Sequence, residues 1–151
     1  MIVRDAAPGD LPAILALLRE DVIREVDESG YDVETYRPAF EEILAEDHLQ
    51  LLVGEEDGQV VATAQVTWLR HLTYAGRLKC HVESVRVRSD LRGGGRGRRL
   101  MEHIVALARA RDAARVELTT NRQREQAHDF YTSLGFMPSH VGMKLYLGGD
   151  R

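Results

Sequence analysis

A run of branched apolar residues, Val82, Val85 and Val87, passes into a segment where Arg86, Arg88, Arg92, Arg96, Arg98 and Arg99 alternate with Gly93, Gly94, Gly95 and Gly97. Leu100, Met101, Ile104, Val105 and Ala108 then follow at helical spacing. This immediate succession of strand, glycine-rich loop and helix start constrains the chain more than any other feature. A helix N-terminus exposes N–H groups with no intrahelical partner and carries partial positive charge, and glycines let an anion approach the backbone. Arginines around it add charge-assisted donors. The expected ligand is a phosphate or pyrophosphate. A flexible, solvated loop is the competing reading, and the strand-to-helix setting argues against it.

Two familiar phosphate loops are excluded. No Gly-Lys-Ser/Thr follows the glycines, so this is not a Walker-type nucleotide loop. A dinucleotide fingerprint counted from Gly95 and Gly97 finds Leu100 where its third glycine should be.

The rest of the chain supplies a mixed α/β order. A short strand over 2–4 leads through Pro8, Gly9 and Asp10, read as a turn and N-cap, into a helix reaching about residue 26. Val33, Tyr36, Phe40, Ile43 and Leu44 mark a second helix. Two β-rich runs, 51–54 and 60–68, are joined through Asp57-Gly58, a hairpin signal. A strand over 77–88 precedes the glycines and a helix over 96–112 follows them. A strand over 115–120, a short helix over 125–134 ending at Gly135, and a final strand over 141–147 complete the order β-α-α-β-β-β-α-β-α-β. An antiparallel front and a β-α-β crossover behind it are expected.

With 151 residues the chain fits a single domain spanning 1–151, and 44% apolar with 29% charged residues is an ordinary globular composition. No apolar run is long enough to cross a bilayer, and Arg4, Asp5 and Asp10 interrupt any secretory apolar core at the start. Cys80 is the sole cysteine, which excludes an internal disulfide and a multi-cysteine metal site and suits a reducing cytoplasm. The net charge of −4 disfavours nucleic acid as a partner. That charge is uneven: residues 1–60 hold 16 Asp/Glu against 4 Lys/Arg, and the remainder 8 against 16. An anion on the basic side and a cation on the acidic side would both be accommodated.

Arg92-x-x-Gly95-x-Gly97 resembles the Arg/Gln-x-x-Gly-x-Gly/Ala signature of the Gcn5-related N-acetyltransferases (GNAT). The strand Val85-Arg86-Val87 before it, Ala127-x-x-Phe130-Tyr131-x-x-x-Gly135-Phe136 after it, and an N-terminal strand leading into two helices agree. The resemblance implies a splayed central sheet and acetyl-CoA as cosubstrate, without a metal. It implies that Val85 and Val87 offer backbone groups to the pantetheine, with Arg86 between them and Arg92 opening the signature. The amides of Gly93, Gly94, Gly95, Arg96, Gly97 and Arg98 would hold the pyrophosphate. The chain departs from the family in carrying Arg96 where many members are apolar. It also has Arg124 where many have an asparagine facing the pantetheine arm.

The implied activity is direct transfer of acetyl to a primary amine of a small molecule or peptide. Tyr131 matches the family's usual general acid, with packing beside Phe130 as its alternative. Glu83 is the candidate base, acting directly or through a water. Its position among Val82, Val85 and Val87 leads us to expect desolvation that favours proton uptake. The alternative for Glu83 is a carboxylate satisfied by Arg86 or a backbone amide. The Val85 N–H is the expected donor to the acetyl oxygen.

His81-Val82-Glu83 begins like a zinc deaminase motif, but one cysteine cannot complete it. Cys80 is expected to be a small buried residue rather than a nucleophile. In this family the first two helices and the loop between the third and fourth strands wall the acceptor site. Here they hold Asp27, Glu28, Tyr31, Asp32, Glu34, Tyr36, Trp68, His71 and Tyr74, which suits a cationic or amphipathic amine. Two readings compete with the enzyme: a CoA-binding sensory or regulatory module without turnover, and a nucleic-acid-binding domain built on the arginines. Homodimerisation is common in the family, but no exposed apolar stripe here establishes it.

Overall fold

A computed structural model describes residues 1–20, 30 and 32–147. Within it the chain divides into two compact units, 1–117 and 118–151.

The first unit is built on a sheet whose spatial order follows the sequence. Strands β1 (Ile2–Asp5), β2 (Leu49–Glu56), β3 (Gln59–Arg70) and β4 (Leu78–Val87) pair antiparallel in succession. The β2–β3 turn is the expected Asp-Gly hairpin: Glu56 faces Gln59, and Asp57 and Gly58 both take positive φ. That left-handed pair matches the twist of the flanking strands. Helix α3 (Arg96–Ala110) then crosses back to β5 (Arg115–Leu118). The Ala114 N–H bonds the Leu78 carbonyl and Glu117 reaches Lys79, so β5 runs parallel to the first half of β4. The antiparallel front and single crossover are those expected from the sequence.

Both faces of the sheet are covered. Leu51 and Val53 pack under α1 (Leu11–Arg19) and α2 (Val33–Ala45), through Leu11, Ile14, Leu15 and Phe40. Val66 pairs with Val82 and Trp68 with Cys80 on the opposite face, and α3 contributes buried Leu100, Met101 and Ile104. Thr63 is the only buried polar residue among those described, and its hydroxyl donates to the Leu52 carbonyl at 2.9 Å. Among the described residues no helix is long and apolar enough to cross a membrane.

Three expectations are corrected. Asp10 does not cap α1; its carboxylate accepts the Ala7 N–H at 2.7 Å and pairs with Arg4, closing a 3-10 turn instead. Helix α1 ends at Arg19, and residues 21–29 of its expected continuation lie outside those described. Residues 141–147 form no strand, and Val141, Met143, Leu145 and Leu147 are exposed. Alternating apolar residues give a segment strand character, but a strand exists only through a ladder with a neighbour, and this segment has none among the described residues.

Candidate functional site

The second half of β4 departs from regular pairing. Thr63 faces Arg86 and Gln65 faces Glu83, so Ser84 and Val85 together stand opposite Ala64 alone. Ser84 takes φ +52, a left-handed conformation that a residue with a Cβ adopts only where its surroundings hold it there. This is a β-bulge, a device that re-aims the backbone. Beyond it the Arg88 N–H bonds the Val61 carbonyl, so Val87, between hydrogen-bonded pairs, turns its polar groups away from β3. The carbonyls of Val85 and Val87 accept Arg86 Nη1 at 2.9 Å and Arg92 Nε at 3.2 Å. Strand β5, four residues long and starting beside Leu78, ends before the bulge. β5 therefore leaves the β4 edge around Val87 unpaired in the sheet.

The glycine loop follows a 3-10 turn over Ser89–Leu91. Gly93 and Gly95 sit at φ +79 and +78, and Gly95 is the N-cap of α3. An L side chain at either position would be strained. The first bond of α3 runs from the Arg99 N–H to the Gly95 carbonyl at 3.0 Å. The N–H groups of its first turn therefore have no acceptor within the helix, and the three glycines before it are exposed. The loop therefore presents exposed backbone at a helix N-terminus, the kind of geometry that receives anions.

The arginines around it behave differently from the expectation. Arg88 donates to Asp90 at 2.7 Å and to Gln59 at 3.1 Å. Arg96 makes a bidentate pair with Glu56, at 2.9 and 2.6 Å. Arg92 lies 3.9 Å from Glu20, whose carboxylate also accepts the Ser89 N–H at 2.7 Å. Arg98 lies 4.0 Å from Glu102. Hydrogen bonds from Arg96 and Arg88 hold the Glu56 and Asp90 carboxyls below their ordinary range. Carboxylates thus compensate much of the guanidinium charge, and the loop's capacity for an anion rests chiefly on backbone N–H groups and the helix end.

Glu83 lies on the opposite face of β4 from the buried Val82, because side chains alternate along a strand. Its side chain is 53% exposed, so the expectation of desolvation among valines is corrected. It stands across from Gln65, with His81 Nε2 3.6 Å from its carboxylate. The other ring nitrogen of His81 lies 3.6 Å from Glu117. Glu117 accepts Lys79 at 2.6 Å and Arg115 at 2.8 Å. Burial raises the Glu117 carboxyl, but those two donors outweigh it and bring it down to about 2. No sequence signal marks this cluster, because its members come from two strands separated by a helix.

In the second unit, α4 (Glu125–Ser133) carries Tyr131, whose ring meets Phe130 and Phe136 edge-on at 5.1 and 5.8 Å. The Tyr131 carbonyl accepts the Phe136 N–H at 3.1 Å. Arg124 is the N-cap of α4, and its carbonyl accepts the Ala127 and His128 N–H groups. The Ala127, Phe130, Tyr131 and Phe136 pattern therefore describes one local unit.

Cys80 is fully buried and burial pushes its thiol up to about 12, which removes it as a nucleophile. Of the expected acceptor wall, Asp27, Glu28 and Tyr31 lie outside the described residues. Trp68 does not belong to it: the ring is buried on the α3 face, bonded to Gln50, with the Arg111 guanidinium 4.4 Å above it. Tyr74 is exposed beside His71, with Arg115 5.1 Å from its ring.

The sequence model of the Acetyltransferase (GNAT) family matches residues 11–136. An amino-acid acetyltransferase of Pseudomonas fluorescens is 32% identical over 93% of this chain, which spans 28% of that protein's length. An aminoalkylphosphonate N-acetyltransferase of Salmonella typhimurium is 27% identical over 91% of this chain and 86% of its own length. Among solved structures, a transcriptional regulator from Bacillus halodurans is 36% identical with a TM-score of 0.89, covering 97% of this chain and 99% of that one.

Proposed function

The chain belongs to the GNAT acetyltransferase family, and from that premise we propose that it transfers acetyl from acetyl-CoA to a primary amine of a small molecule or peptide. The observation that carries this reading is the bulged β4 leading through left-handed Gly93 and Gly95 into the N-terminus of α3. When bound, acetyl-CoA supplies an acetyl group activated as a thioester. The amides of Gly93, Gly94, Gly95, Arg96, Gly97 and Arg98 fit its pyrophosphate. Val87 fits the pantetheine through the backbone groups it turns away from β3 and Val85 through its carbonyl, with Arg86 and Arg92 exchanging their carbonyl contacts as it enters. Arg124 stands where many family members carry an asparagine that faces this arm.

Three tasks remain for the protein. Glu83 receives the proton of the acceptor ammonium, directly or through a water that its exposure allows. The Val85 N–H, beside the bulge, donates to the acetyl oxygen as negative charge grows there. Tyr131 delivers a proton to the departing sulfur. We read residues 1–151 as one cytoplasmic catalytic domain, with no nucleic acid among its partners. Pairing of the loop arginines with Glu20, Glu56 and Asp90 supports that last point.

The relatives' names include amino acids and aminoalkylphosphonates as substrates, which makes small amines the first acceptors to try. The test is thiol release from acetyl-CoA across a panel of amino acids, aminoalkylphosphonates and polyamines. Acceptor-dependent release is the expected result. A second reading, a CoA-binding regulatory module, draws on the 36% identity to a protein described as a transcriptional regulator. Saturable CoA binding with no release on any amine of the panel would favour it.

A further inference from the structure

Gly93 and Gly95 are required by their positive φ, but Gly94 is not in that region. What a side chain at 94 would meet is Arg96: a Cβ built there lies 2.5 Å from Nη1 of the guanidinium. Arg96 leaves the first turn of α3 and folds back over Gly94 toward the β2–β3 hairpin. Its Nε and Nη2 donate to the two Glu56 oxygens at 2.9 and 2.6 Å, and Nη1 to the Leu91 carbonyl at 3.4 Å. The Met1 amino group stands 3.9 Å from the same carboxylate. One side chain thus ties the turn before the glycines and the helix after them to the end of a sheet strand.

We propose that Gly94, Arg96 and Glu56 form a strut that holds the glycine loop in its ligand-ready shape, so that the Arg96 guanidinium positions the loop and is not itself a phosphate donor. The inference rests on the reading of the loop as the pyrophosphate site. Three consecutive glycines lose much conformational freedom on ordering, and a loop ordered before binding does not charge that loss to the ligand. A bidentate guanidinium–carboxylate pair has the directionality to fix such a shape. Gly94 leaves the passage through which the guanidinium reaches Glu56.

The experiment is a calorimetric titration of the full chain with CoA, alongside amide exchange of the ligand-free protein. Glu56→Gln and Gly94→Ala should each weaken CoA binding about tenfold. Each should also speed exchange at 93–98 by a similar factor, with the thermal midpoint little changed. The double variant should be no weaker than either single, because both break the same pair. A phosphate-donating Arg96 predicts the reverse, since freeing it from Glu56 would leave CoA affinity unchanged or improved. Tight binding by Glu56→Gln, or unchanged exchange at 93–98 in both variants, would therefore overturn the strut. Failure of the unaltered protein to bind CoA would instead overturn the pyrophosphate reading, and the strut's role with it.

Discussion

The two halves of β4 do different work with the same backbone. Its first half presents side chains: Lys79, His81 and Glu83 share one face, Lys79 and His81 meet Glu117, which also holds Arg115, and Glu83 approaches His81. Its second half presents main chain, because the bulge at Ser84 and Val85 and the end of β5 free the edge around Val87. In the mechanism we propose, proton handling and carbonyl handling fall on adjacent stretches of one strand. The bulge divides them. A side chain that takes a proton must be exposed to its donor, whereas a backbone N–H acting on an acetyl oxygen needs a fixed direction.

The division is broken most severely at Glu83. Glu83→Gln should lower turnover about a hundredfold and leave acetyl-CoA affinity within twofold, checked by steady-state kinetics beside calorimetry. A comparable loss of affinity would mean the two halves are not separate. At the other end, Gly95→Val puts a β-branched residue at φ +78. We expect CoA affinity to fall about thirtyfold as the cradle distorts, with turnover at saturating acetyl-CoA largely kept. Tyr131→Phe should cut turnover about tenfold with little effect on affinity; unchanged turnover would remove Tyr131 from the mechanism.

The smallest effect concerns the charge network itself. The Glu117 carboxyl is held at about 2, below its ordinary 4.5, so its contribution to stability is complete above about pH 4.5. It is lost as pH falls toward 2. Glu117→Gln should cost about 1 kcal/mol near neutrality by stranding Lys79 and Arg115. Thermal melts of the two proteins should converge as pH falls through that window; a gap that persists at pH 2 would show that Glu117 acts by packing alone.

The local chemistry of the fold was legible in the sequence. Asp57-Gly58 announced its hairpin, and the valines, glycines and helical spacing announced the strand, loop and helix start, because each depends on a few contiguous residues. What was not legible depended on residues far apart. No glycine marks the bulge; Ser84 is held at positive φ by the ladder around it. Glu56 lies 40 residues before its partner Arg96, so arginines that look like phosphate donors turn out to be paired. The exposure of Glu83 follows from which face of β4 it occupies, and the valines beside it misled the expectation of desolvation. Residues 141–147 show the limit of alternation, since it indicates a strand without supplying its neighbour.

How the loop holds its ligand is tested by an amide NMR titration of the isotopically labelled protein with acetyl-CoA. Backbone attachment of the pyrophosphate predicts large downfield shifts at the Gly93, Gly94, Gly95 and Gly97 amides, saturating near one ligand per chain. Saturable binding with those four amides unmoved would contradict it.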